Sequence, residues 1–160
     1  MTSRSLKERR NDRRVFSATA YVGFAKLDLQ LRRGKIMIRP WLTLGWLMPY
    51  RLIWAWKISF HLPAESELLS LIQSGMEFLV PNQIVIDNGS VFQGRGLRRL
   101  CVDKQINLVT SDPLLPDNLT IERVFQRLNS LLSNLPRPNF TMNHLEKTLQ
   151  HYHFSEYMEA

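Results

Sequence analysis

The chain has 160 residues, 44% hydrophobic and 22% charged, which suits one globular domain with a real core and excludes wholesale disorder. Its 21 basic and 14 acidic side chains leave a net charge of +7 at pH 7. Such an excess is the footprint of a polyanion partner, since each Lys or Arg near a phosphate releases condensed counterions; a basic protein without such a partner is the plainer reading. A single cysteine, Cys101, excludes an intramolecular disulfide and fits a reducing compartment.

Residues 1–14 carry six basic and two acidic side chains without apolar periodicity and read as a flexible basic arm. This basic segment ahead of the mildly apolar Val15 to Ala25 has the outline of a signal peptide, but Ser17 and Thr19 weaken the apolar run. From Val15 to Val22 the chain alternates, with Phe16, Ala18, Ala20 and Val22 against Ser17, Thr19 and Tyr21, which predicts a strand with one face on the core. A second alternation places Leu27, Leu29 and Leu31 opposite Asp28, Gln30 and Arg32, and Arg33-Gly34-Lys35 supplies a turn. Ile36 to Trp46 and Leu52 to Phe60 read as two further strands joined by a hairpin at Met48-Pro49-Tyr50-Arg51, giving an antiparallel meander. Pro49 and Arg51 also break the most apolar stretch, Trp41 to Trp56, short of the ~20 continuous residues of a membrane span.

After Pro63 the spacing of Leu68, Leu69, Leu71, Ile72 and Met76 predicts a helix over 64–76. A buried strand at Ile84 to Ile86 follows, then a short helix around Leu97 to Lys104 with Cys101 on its apolar side as a small hydrophobe, and a strand at Ile106 to Val109. Asp112-Pro113 and Leu115-Pro116-Asp117 form a breaker-rich loop ending at an N-cap, Asn118 or Thr120. A strong amphipathic helix runs from Ile121 to Leu132, Pro136 and Pro138 end it, and Met142 to Tyr157 reads as a terminal helix. The expected organisation is an arm at 1–14, a core at 15–135 and a helical extension at 136–160. An antiparallel meander feeding α/β crossovers matches a ribonuclease H-like mixed sheet, although the pattern alone also fits other α/β folds.

Two carboxylates stand out. Asp87 closes the strand Ile84-Val85-Ile86 just before Asn88-Gly89, where a core strand meets the surface and ligand groups gather in open α/β sheets; Asp-Asn-Gly is equally an ordinary turn. Glu122 stands in the first turn of the Ile121 helix, where the macrodipole favours a carboxylate whatever its role. The 34 residues between them leave room for one helix, one strand and a loop. His144, His151 and His153 read as solvated surface, because residues two apart do not share a helix face. Trp41, Trp46, Trp54 and Trp56 read as packing residues, with base stacking as the alternative. Arg95, Arg98 and Arg99 read either as phosphate contacts or as a solvated helix face.

Val80-Pro81 through Phe92 and Ile121-Glu122-Arg123-Val124-Phe125 resemble the segments around the second Asp and the Glu of the DDE transposases and retroviral-type integrases. Ile38-Arg39-Pro40-Trp41-Leu42-Thr43-Leu44 is similar to a strand of the Mu- and Tn7-like transposases, and the resemblance covers residues 15–140. It implies a ribonuclease H-like α/β core in which three carboxylates hold two Mg²⁺ or Mn²⁺ ions for in-line phosphoryl displacement. It also implies DNA as partner, with a homo-oligomer or transposition proteins beside it, no membrane, and a cytoplasmic, nucleoid-associated setting. Carried over, Asp87 is the second carboxylate and Glu122 the third, and Arg95, Arg98, Arg99 and Arg123 meet DNA. The first, in an Asp-x-Thr context on the opening strand, is matched by Ser17-Ala18-Thr19, so Ser17 stands where the Asp is missing. Asp28 is a candidate substitute. Leu47 stands where an Asp is usual, and Asn118-Leu119 replaces Lys-Gly. A serine brings no negative charge to a hard cation. The resemblance therefore implies weak or absent Mg²⁺ or Mn²⁺ binding and impaired strand transfer, by a thousandfold or more for the several kcal/mol that Lewis-acid stabilisation supplies. The alternative is a non-catalytic DNA-binding or protein-assembly module that keeps the fold. A membrane-surface role would need a basic amphipathic helix, which the sequence does not offer.

Overall fold

The computed structural model describes residues 17–87, 94–111, 119–133 and 141–153. The strands are β1 (Thr19–Lys26), β2 (Leu31–Arg33), β3 (Ile36–Ile38), β4 (Trp41–Met48), β5 (Leu52–Ser59), β6 (Gln83–Asp87) and β7 (Asn107–Ser111). The helices are α1 (Glu65–Phe78), α2 (Arg95–Asp103), α3 (Leu119–Ser133) and α4 (Met142–His151). Five strands form one mixed sheet in the order β5-β4-β1-β6-β7. β5, β4 and β1 are antiparallel neighbours, whereas β1, β6 and β7 run parallel. The expected meander and crossovers are both present.

Each face of the sheet carries its own core. On one face Ala20, Val22, Ile84 and Ile86 pack with Leu68 and Ile72 of α1 and Leu97 and Cys101 of α2. On the other, Leu42, Leu44 and Ile53 pack with Phe125, Leu128 and Leu132 of α3 and Leu145 and Leu149 of α4. The segment beyond residue 135 therefore supplies buried side chains to the core. Trp54 is fully buried, and its indole N–H donates to the Leu79 carbonyl at 2.9 Å. Two glycines leave space for that ring: a Cβ on Gly75 would lie 2.4 Å from it, and one on Gly45 2.9 Å.

Tertiary pairing moves several expected boundaries. β1 begins at Thr19 and runs on to Lys26, because its ladder with β4 extends to Lys26 opposite Trp41; residues 15 and 16 lie outside the described residues. Leu27, Leu29 and Leu31 are buried as the alternation predicts, but only Leu31–Arg33 is a strand, paired with β3 in a separate hairpin. Gly34 takes φ 64 in its turn, a left-handed conformation that suits glycine. The expected strand over 36–46 is split at Arg39-Pro40, since proline has no N–H for a ladder. Thr120 lies inside α3 rather than capping it, and Asn118 lies outside the described residues. α4 ends at His151, earlier than the expected 157.

Two histidine expectations divide. His144 is exposed and caps α4 with Thr141, and His151 is exposed. His153 is buried instead: the chain has left the helix there, pairs in parallel with Ile53, and sets the imidazole edge-on to Phe78. Among the described residues, no helix is long and apolar enough to cross a membrane.

Candidate functional site

The parallel ladder between β1 and β6 pairs Thr19 with Gln83, Ala20 with Ile84, Tyr21 with Val85 and Val22 with Ile86. One further step brings Gly23 level with Asp87, the last residue of β6. Side chains alternate across a strand, and Ala20 and Val22 pack on the α1–α2 face. Gly23 therefore belongs to the opposite face, under α3. A Cβ built on Gly23 would lie 3.1 Å from Cγ1 of Ile121 and 3.7 Å from the Phe125 ring. Ile121 precedes Glu122, which is exposed in the first turn of α3. Residue 23, the end of β6 and the start of α3 thus meet at one edge of the sheet.

Ser17 is not brought to this place. It is exposed and lies two residues before β1. The adjoining Ala18 exchanges hydrogen bonds with Asn82, just ahead of β6, at the far end of that strand from Asp87. Six residues of extended chain separate positions 17 and 23, about 20 Å at 3.3 Å per residue. Alternation marks the faces of a strand but not its ends, so the level of Gly23 with the end of β6 is set by the ladder between the two strands.

The other expected residues scatter. Asp28 is exposed, 3.9 Å from Arg39, and its backbone N–H donates to Asn129 Oδ1. Leu47 is fully buried in β4 opposite Ala20 and Leu52. Arg95, Arg98 and Arg99 are exposed on α2, which packs on one face of the sheet, whereas Arg123 is exposed on α3 over the other. Cys101 is buried, and burial pushes its thiol pKa up. Away from this edge, His61 Nε2 lies 2.5 Å from Glu67 Oε1, and Lys57 Nζ 3.9 Å from Oε2. The hydrogen bond from His61 holds the Glu67 carboxyl below its ordinary value.

The side chain of Asp87 lies outside the described residues. Asp87 and Glu122 are carboxylates, Gly23 offers no side-chain donor, and Ile121 and Phe125 occupy the space above it. Among the described residues, no three of His, Cys, Asp and Glu cluster as metal ligands would. Two carboxylates and a glycine do not fit a site for two divalent ions, which calls for several anionic oxygens.

No protein-family model and no curated protein matches the sequence. Among solved structures, the chain is similar to the catalytic core domain of BIV integrase, at 11% identity and a TM-score of 0.52 over 70% of this chain and 66% of that one. It is also similar to the HTLV-2 integrase catalytic core domain in complex with magnesium, at 15% identity and a TM-score of 0.48 over 84% and 81%. A third similarity is to the simian T-cell lymphotropic virus intasome in complex with PP2A regulatory subunit B56 gamma, at 16% identity and a TM-score of 0.48 over 74% and 43%. The chain thus spans less than half the length of that intasome chain. At such identities the likeness is one of fold: the mixed five-stranded sheet is the ribonuclease H-like sheet of integrase catalytic cores.

Proposed function

We propose that this chain is a nucleic-acid-binding relative of the integrase and transposase catalytic cores, related to DNA integration or transposition, whose metal-dependent strand transfer is impaired. Asp87 and Glu122 keep the second and third carboxylate positions. The observation that carries the reading is the β1–β6 register, which favours Gly23 over Ser17 as the first position and leaves it without a ligand. The net charge of +7 supports a polyanion partner. The apolar contact that Ile121 and Phe125 would make above Gly23 favours a second reading: a DNA-binding or assembly module that keeps the fold without chemistry.

Calorimetric titration with Mn²⁺ tests the assignment on the parent chain, Gly23→Asp and Ser17→Asp. An added Asp at 23 presses on Ile121, so Gly23→Asp combined with Ile121→Ala makes room for it. The parent and Ser17→Asp bind Mn²⁺ weakly, and at least one of the Gly23→Asp variants binds it at least tenfold more tightly. Tight binding by the parent contradicts impairment. A gain at Ser17→Asp with none at Gly23→Asp returns the first position to Ser17. Gel-shift of a DNA duplex on the parent tests the partner independently of the metal.

A further inference from the structure

We infer that the cleft between α3 and the β4–β5 hairpin holds one unpaired nucleotide of a nucleic-acid strand; the inference rests on the nucleic-acid-binding reading above and adds where an unstacked base is received. The cleft has a volume of about 480 Å³, within the ~300–1,000 Å³ of small-ligand sites. Its lining combines two kinds of chemistry. Arg51, Arg123 and Arg127 bring three guanidinium groups, while Trp46, Tyr152 and Leu131 bring aromatic and aliphatic surface.

Among the described residues this charge is unanswered. The ion pairs among the described residues join Arg39 to Asp28 and both Lys57 and His61 to Glu67, and none involves these arginines. No Asp or Glu is among the described residues lining the cleft. Three cations around one concavity repel one another until an anion enters, and the planar guanidinium fork matches phosphate geometry. The apolar part is accessible as well: Leu131 is 36% exposed, and Trp46 and Tyr152 are half-buried. Aromatic faces beside arginines receive a base by stacking. A flat apolar body carrying an anionic group is the ligand this lining complements.

Position in the fold supports the same ligand. Trp46 pairs with Tyr21 in the β1–β4 ladder, two residues from Gly23, and Arg123 directly follows Glu122. The Trp46 side of the cleft therefore lies two ladder pairs from Gly23, while Met48 and Arg51 carry the cleft toward the Thr19 end of β1, so a strand passing Gly23 and α3 has a neighbouring nucleotide within its reach. Arg51 adds a local sign of constraint. It holds φ 58 with its N–H donating to the Leu47 carbonyl at 2.8 Å, a conformation that is uncommon for a residue other than glycine and that clusters at ligand sites.

Fluorescence anisotropy with a labelled thymidine pentanucleotide tests this on the full chain, beside a DNA duplex and a Glu-Tyr-Glu peptide. Arg127→Glu changes an exposed side chain and Trp46→Ala a half-buried one, so a circular dichroism melt confirms that each variant is folded; Arg123→Glu is a second exposed variant. The parent binds the pentanucleotide. Arg127→Glu, Arg123→Glu and Trp46→Ala each weaken it about tenfold. Each charge reversal also makes the salt dependence shallower, by about 0.7 in slope for every phosphate the variant no longer neutralises, while Lys35→Glu, exposed in the β2–β3 turn, leaves binding within twofold. If the pentanucleotide binds equally to parent and cleft variants, this inference fails and the nucleic-acid reading stands. If neither pentanucleotide nor duplex binds, both fail. Binding of the acidic peptide in place of the pentanucleotide overturns the inference in favour of a protein partner.

Discussion

Replacing Gly75 by Ala sets two effects of known size against each other. Ala is favoured over Gly in a helix interior by ~0.5–1 kcal/mol, and Gly75 lies three residues from the end of α1, where the gain is at its smaller end. Against it, the new Cβ would stand 2.4, 2.5 and 2.8 Å from three atoms of the Trp54 ring. That ring is fully buried and tied to the Leu79 carbonyl, so it has no open side to turn toward. Overpacking a tight core costs ~1–3 kcal/mol, and loosening the indole hydrogen bond adds ~1 kcal/mol. The clash wins, and Gly75→Ala destabilises the fold by about 1–3 kcal/mol. Urea unfolding followed by tryptophan fluorescence reads this as a lower midpoint with an unchanged slope, a shift of roughly 1 M for a slope of ~1–3 kcal/mol/M. A variant as stable as the parent would refute the claim that Trp54 is locked between α1 and β4.

Burial raises the Cys101 thiol pKa and screens the sulfur, so the folded chain reacts with a thiol reagent at pH 8 at least a hundredfold more slowly than the chain in urea, since the thiolate is the nucleophile; equal rates would place Cys101 at the surface. Glu67 is held below its ordinary pKa chiefly by the hydrogen bond from His61. Because its folded value is depressed, the contribution of this contact is complete above the unfolded carboxyl value and disappears as pH falls through the folded one. His61→Ala therefore raises the Glu67 pKa measured by NMR, and the stability gap between variant and parent closes as the carboxyl becomes protonated; an unmoved Glu67 would mean the pair does not persist in solution.

The fold was legible where a periodic pattern outlasts the uncertainty at its ends. The alternation from Val15 to Val22 and the Phe125, Leu128 and Leu132 stripe locate β1 and α3 from local order alone, and Leu52 to Phe60 reads as the strand observed as β5. Positions set by partners were not legible. The alternation of Ala18, Ala20 and Val22 identifies a strand, but only the ladders to β4 and β6 show that it continues through Gly23, level with the end of β6. His153 reads as surface from its spacing to His151, yet the chain has left helical geometry by then and turns inward onto Ile53 and Phe78. The Arg-lined cleft gathers residues from β4, the hairpin, α3 and the segment after α4, a convergence that no single window of sequence contains.

The pairing of Ile53 with the chain just beyond α4 has a consequence for self-association. β5 forms one rim of the sheet, and such a rim is a template onto which a strand from another molecule can add. The Ile53 N–H is already engaged by the Tyr152 carbonyl at 2.8 Å, and His153 lies alongside. The segment that completes the core under α3 and α4 thus also occupies the β5 rim at Ile53, where a strand from another molecule can no longer pair.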